Sequence, residues 1–196
     1  MTTSLHPHFP RFENLFRKLL PDASEVSRHL FRMVNPKFCK DTDIINGEGG
    51  RRASGRWNIK GLFCCTYASF TPETALEESL AATRRKNLPD EKALPRTLVC
   101  IDLHATKALD LTDGKIRQRC RVSMQQMRYE QWWIENLHNR EAVTQALGRA
   151  AFQAGFEAML VPSSTDTHHR TNVIIFPELL LKGSYLDVLT PIKGKE

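Results

Sequence analysis

Residues 47–78, GEGGRRASGRWNIKGLFCCTYASFTPETALEE, concentrate side chains that can do chemistry on a phosphorylated sugar. The stretch holds Arg51, Arg52 and Arg56, the aromatic Tyr67, and two adjacent carboxylates, Glu77 and Glu78. Guanidinium forks grip phosphate oxygens two at a time. An aromatic face packs on a flat ring, and a carboxylate stabilises the cation left when a glycosidic bond breaks. Arg32 joins this set from a short apolar run, residues 29–34. An unpaired charge there is costly to bury, so Arg32 needs an anion, either a ligand phosphate or a structural carboxylate. Arg56 follows Gly55, which permits close backbone approach. Arg51 and Arg52 read as a solvated loop face, Trp57 as a core plug, and Asn58 as a residue that holds the loop through backbone hydrogen bonds. The glycines form neither a dinucleotide-binding fingerprint nor a phosphate-cradling loop of the Walker type.

A strand and the helix after it must bring these groups together. Residues 62–69 read as that strand. Thr71 is the cap of the helix, Pro72 its first residue and Thr74 the start of its inward face, with the end near Arg85. Upstream, residues 11–20 have helical spacing and stop at Pro21, and Asp22 or Ser24 caps a second short helix through Arg28. Residues 29–34 read as a strand and 37–55 as a loop. Downstream, 97–103 is a buried strand and 108–111 a separate short one. Tyr129, Trp132 and Trp133 anchor helical turns within 115–139. Residues 140–154 are a helix ended by Gly155. Strands at 158–161 and 172–176 flank a polar loop, and 184–190 adds an edge strand. Strands and helices do not alternate regularly. The expected class is therefore α+β, a mixed or mostly antiparallel sheet with helices packed around it.

The chain of 196 residues fits one globular domain, and its net charge of +6 points to an anionic ligand or partner: a nucleotide, a nucleic acid or an acidic protein. The five cysteines are odd in number and lack CxxC spacing, which reads as reduced thiols with no disulfide framework and no zinc site. His168-His169 has no third ligand at usable spacing, so no metal is expected. No apolar run is long enough for a leader or a membrane span. The expectation is a cytoplasmic protein without membrane contact.

The order of these pieces carries a resemblance. An apolar strand with Arg32 is followed by GEGGRRASGRWNIKG, Tyr67-Ala68-Ser69, PETALEE, and AMLVPSS with Asn172-Val173-Ile174 after it. This closely resembles the RES-domain family, named for its Arg, Glu and Ser, over about residues 29–180. The resemblance implies a fold like the ADP-ribosyltransferases of the diphtheria-toxin type. It separates an N-terminal helical extension, 1–28, from an NAD-binding domain, 29–196, within a single globular unit. By position, Arg32 matches the first motif arginine and Arg56 the arginine of GRWN. Tyr67 matches the family tyrosine, Glu78 the glutamate and Ser163 the serine. Glu77 beside Glu78, and Ser164 beside Ser163, leave the register open by one residue.

In this reading Glu78, Arg32 and Ser163 are catalytic, and Arg32, Arg56, Tyr67, Asn58 and Ser163 contact NAD, which is substrate. Arg32 and Arg56 would hold the diphosphate, Tyr67 would stack on nicotinamide, and Glu78 would stabilise the ribosyl cation. Ser163 would hydrogen-bond substrate or Glu78. The implied activity is a toxin's, NAD cleavage by water or phosphate, or ADP-ribose transfer to a protein, masked by a cognate Xre-like antitoxin. A rival of another class is a basic nucleic-acid-binding module built on Lys115, Arg117, Arg119, Arg121 and Arg128 near Tyr129 and Trp132. It ranks lower because the chain has no recognised nucleic-acid motif. The same cluster could instead meet an acidic antitoxin surface or a second copy of the chain in a homo-oligomer.

Overall fold

A computed structural model of the chain describes residues 3–165 and 170–189. Helix α1 (Phe9–Leu19) leads into the long strand β1 (Ser24–Val34), and two one-turn helices, α2 (Asp41–Ile45) and α3 (Glu48–Arg52), follow. Next come β2 (Thr66–Ser69), α4 (Pro72–Arg84) and β3 (Thr97–Asp110). Three short helices, α5 (Gly114–Cys120), α6 (Met124–Tyr129) and α7 (Trp132–Leu137), precede α8 (Val143–Ala154). Strands β4 (Ala158–Pro162), β5 (Thr171–Ile175) and β6 (Tyr185–Val188) complete the described chain.

The strand pairings close on themselves. β1 runs antiparallel to β3 from Val34↔Thr97 to Ser24↔Ala108, and touches β2 at Phe31↔Ser69. β2 pairs antiparallel with β5, β5 antiparallel with β4, and β4 parallel with β3. The circuit β1–β2–β5–β4–β3 thus returns to β1, and β6 adds antiparallel to β3. This is the mixed, mostly antiparallel sheet of the α+β class. Alternation divides the strands between two cores. Leu30, Val99, Ile101, Leu103, Val173 and Ile175 belong to one. Met159, Val161 and Ile174 face the other way, against Phe12 and Phe16 of α1 and Leu147 of α8.

Several elements differ from the expectation. No helix forms between Asp22 and Arg28; Ser24 instead opens β1, because ten register partners on β3 satisfy its backbone. Local propensity cannot see that pairing. The two strands expected at 97–103 and 108–111 are one, since β3 pairs along β1 from Thr97 to Ala105 and, past an irregularity opposite Ser24 and Val26, again at Ala108. The segment read as loop at 37–55 contains α2 and α3. The strand expected from residue 62 starts at Thr66, after Cys65 donates its N–H to the Gly47 carbonyl at 3.1 Å. Helix α8 starts at Val143, where the Glu130 carboxylate accepts from the N–H groups of Val143 and Thr144 at 2.9 and 2.8 Å. Its C-terminal Gly155 adopts φ 94°, the left-handed turn expected there.

Candidate active site

Helix α4 positions the central carboxylate. Thr71 caps it, its hydroxyl accepting from the Thr74 N–H at 3.2 Å, and Pro72 stands in the first turn. Thr74 and Ala75 then face the sheet, and one turn on so does Glu78. Its Oε1 accepts three hydrogen bonds: from the Ser163 hydroxyl at 2.7 Å, the Ser164 N–H at 3.0 Å and the Asn172 amide at 2.7 Å. Among the described residues Oε2 has only the Ser164 hydroxyl, at 3.4 Å. One oxygen is saturated by protein, and the other is left to meet a ligand. Glu77 points elsewhere, paired with Arg84 on the exposed face of α4.

Asn172 links this seat to the sheet. Its Oδ1 accepts from the buried Ser69 hydroxyl at 2.7 Å, so β2, β5 and α4 are tied through one amide. Ser163 is fully buried behind Glu78, and its own carbonyl accepts from Arg128 Nε at 3.1 Å.

The loop between α3 and β2 carries Arg56. Asn58, 1% exposed, donates to the carbonyls of Gly50 and Ala53, and accepts at Oδ1 from the Tyr67 hydroxyl at 2.8 Å. The Tyr67 hydroxyl in turn accepts from the Trp57 N–H at 2.9 Å. Gly55 lets the loop lie on this ring: a Cβ there would sit 2.7 Å from the Tyr67 oxygen. Trp57 is buried as a core plug. Asn58, expected as a ligand contact, therefore reaches the cleft only through Tyr67. Burial pushes the Tyr67 phenol well above its ordinary value, with Cys65 acting in the same direction.

These elements enclose a cleft of about 280 Å³, lined by Arg32, Arg56, Tyr67, Glu78, Arg85 and Asn172 among others. The three guanidiniums outnumber the single carboxylate of the lining. Arg56 is anchored by the Met127 and Glu130 carbonyls, both at 3.0 Å. Burial draws its pKa down, opposed first by Glu78. Arg32 donates to the Tyr67 carbonyl at 2.9 Å, while its Nε is buried with no hydrogen-bond partner among the described residues. Burial lowers its pKa also, and among the described residues no carboxylate pairs with it. An anion in the cleft would satisfy both groups.

Arg85, Trp132 and Asn172 enter the site without having been assigned to it from sequence. Arg85 lies seven residues after Glu78, hence on the same face of α4, and its guanidinium stacks 4.3 Å from the Trp133 ring and 5.1 Å from Trp132. That spacing was readable once the helix was drawn; the Trp contacts were not. Arg51 and Arg52 lie on the exposed side of α3, within 3.7 Å of Glu48. Among the described residues no group of three or more His, Cys, Asp or Glu could hold a metal ion, and His168-His169 lies outside those residues. Among them, too, no helix is long and apolar enough to cross a membrane.

The chain is 28% identical over 124 residues to proteins named NAD(+) phosphorylase MbcT from Mycobacterium bovis and Mycobacterium tuberculosis. The match covers 62% of the chain and 62% of each relative, less than two thirds of their length. In fold it is similar to a chain in the crystal structure of the M. tuberculosis MbcT–MbcA toxin–antitoxin complex. That similarity has a TM-score of 0.68 at 21% identity and covers 91% of both chains. The RES domain model matches residues 29–186, a span that takes in Arg32, Glu78 and Ser163 together, and the chain belongs to the RES domain family.

Proposed function

We propose that this chain cleaves the nicotinamide–ribose bond of NAD and transfers the ADP-ribosyl group to inorganic phosphate. The observation that carries the reading is the seat of Glu78: one oxygen held by three donors, the other turned toward a cleft rich in arginine. Nicotinamide leaves as a neutral base, taking the electron pair of the C–N bond, and the ribose acquires oxocarbenium character. Glu78 Oε2 accepts from a ribose hydroxyl and stabilises that charge. Its preorganisation by Ser163, Ser164 and Asn172 means little rearrangement is needed as the charge develops. Arg32 and Arg56 hold the diphosphate. The Tyr67 hydroxyl is committed to Asn58 and Trp57, so its contribution is the ring face, packed on nicotinamide.

A phosphate oxygen then attacks the ribose carbon, giving ADP-ribose-1″-phosphate. The name of the mycobacterial relatives supports phosphate over water as acceptor. Cellular NAD falls, and the chain acts as a toxin held in check by a cognate antitoxin, a pairing supported by the complex of similar fold. Five free cysteines, three of them buried, suit a reducing cytoplasm. The test is product analysis from NAD with and without inorganic phosphate. ADP-ribose-1″-phosphate is expected. ADP-ribose alone would make it a glycohydrolase, labelled protein an ADP-ribosyltransferase, and intact NAD would end the proposal. Glu78→Gln is expected to lower turnover by roughly 10²–10³-fold.

A further inference from the structure

The residues ahead of β1 reach the arginine loop of the cleft through a chain of hydrogen bonds. Ser4 lies parallel to Arg140: its N–H donates to the Asn139 carbonyl at 2.7 Å, and its carbonyl accepts from the Glu141 N–H at 2.9 Å. Two residues on, the His6 N–H donates to Oε2 of Glu141, a carboxylate 3% exposed and held by Arg149. Residues 4–6 therefore pin residues 139–141 from the N-terminal side. On the other side, the Arg140 carbonyl accepts from the Asn136 amide at 3.0 Å. Asn136 and Gln145 pair amide to amide, at 2.9 and 3.0 Å. Gln145, fully buried in the first turn of α8, also donates to the carbonyls of Gly55 and Asn58. Those two residues bracket Arg56 and Trp57, and the Gly55 N–H donates to the Asn58 carbonyl at 3.0 Å. Buried amides are costly to leave unpaired, so such a network shifts as a unit.

We propose that residues 4–6 are a strap that positions Arg56, with Asn136 and Gln145 as the positioning residues between them. The strap itself touches no substrate. Its role rests on the diphosphate contact proposed above for Arg56, and it gives the N-terminal segment a part in substrate affinity as well as in the fold. The seat of Glu78, made by Ser163, Ser164 and Asn172, lies outside the network. Loosening the strap weakens the hold on the diphosphate and spares the chemical step.

ADP-ribose, which carries the diphosphate but no nicotinamide, is the probe, titrated calorimetrically into the full chain beside NAD kinetics. Ser4→Pro removes one strap N–H, and Gln145→Leu removes the amide. Gln145→Leu is expected to raise the ADP-ribose Kd and the KM for NAD about tenfold, and Ser4→Pro about threefold, the range that hydrogen-bonded networks transmit. In both, kcat should stay close to that of the parent. In an Arg56→Ala chain, Ser4→Pro should move the Kd no further. Thermal melting sets an assay temperature at which each protein is folded; should Gln145→Leu not fold, Ser4→Pro, at an exposed residue, decides alone. The strap is overturned if Ser4→Pro lowers the melting temperature but leaves Kd and KM unchanged, or if kcat falls at constant KM. It is also overturned if Ser4→Pro weakens ADP-ribose binding equally with and without Arg56. A parent that binds ADP-ribose but leaves NAD intact removes the reaction and not the strap; one that binds no ADP-ribose removes both.

Discussion

Glu77 and Glu78 are neighbours in sequence but about 100° apart around their helix, and that rotation separates a surface ion pair from a buried network. Glu77 meets Arg84 in solvent, where water screens the pair and it stabilises little. Glu78 meets Ser163, Ser164 and Asn172. Removing the amide by Asn172→Ala leaves the Ser69 hydroxyl and one Glu78 lone pair without a partner. Hydrogen bonds to charged groups are worth about 1.5–3 kcal/mol, so turnover of NAD should fall by roughly 10- to 100-fold. KM should stay nearly constant, and Glu77→Gln should change neither; steady-state kinetics on the three proteins separates these outcomes. Arg32 could be singled out because a charge in an apolar run demands an explanation, and Glu78 and Ser163 because a motif brings each to within one residue. Asn172 stands in a short strand of ordinary composition, and its partner Glu78 lies 94 positions away. The resemblance takes in Asn172, but no local feature of the sequence assigns it to the Glu78 carboxylate.

At the scale of elements, caps were legible and pairings were not. Thr71-Pro72 and Gly155 fix their helix ends by local backbone chemistry, and those ends lie where expected. β1 gains its first residues from β3, more than seventy positions later, so residues 22–28 read as helix when taken alone. A further contact hidden from sequence joins α8 to the arginine loop. A Cβ on Gly148 would sit 1.9 Å from the Trp57 carbonyl oxygen, and Gln145 donates to the carbonyls of Gly55 and Asn58 at 2.9 and 3.2 Å. Helix α8 therefore sets the height of the loop that presents Arg56. Gly148→Ala must push the two apart, and overpacking of this kind costs about 1–3 kcal/mol. A lower melting temperature together with a raised KM for NAD is expected; a variant with unchanged melting and kinetics would show that the loop is not held this way.

Across the whole molecule, the N-terminal residues are built into the same core as the site. Phe12 and Phe16 are fully buried, and the His6 N–H donates to Glu141 Oε2 at 2.7 Å. Glu141 in turn forms a buried double hydrogen bond with Arg149, whose guanidinium lies 3.3 Å from the Phe9 ring centre. Burial lowers the His6 pKa below its ordinary 6.5, with His8 adding to the shift and Glu141 opposing it. The unfolded chain thus binds a proton more readily than the folded one. This contribution to stability is complete above pH 6.5 and is lost as pH falls below it. His6→Gln should flatten that part of the stability–pH curve in chemical denaturation. The basic cluster behind the nucleic-acid reading is not one open surface: Arg128 is buried against the Ser163 carbonyl, and Arg117 donates to the carbonyls of Leu111 and Thr112. The closed circuit of strands has a bearing on timing. Glu78 is made early, but Ser163 and Asn172 belong to the last third of the chain, and β5 must dock before the circuit exists. A ribosome-bound chain therefore carries its reactive carboxylate unseated until late in synthesis, and a chain stopped after Thr165 should consume no NAD in a cell-free translation assay. For the toxin proposed above, the order of the strands sets an interval between the making of Glu78 and its seating, in which an inhibitor could already be waiting.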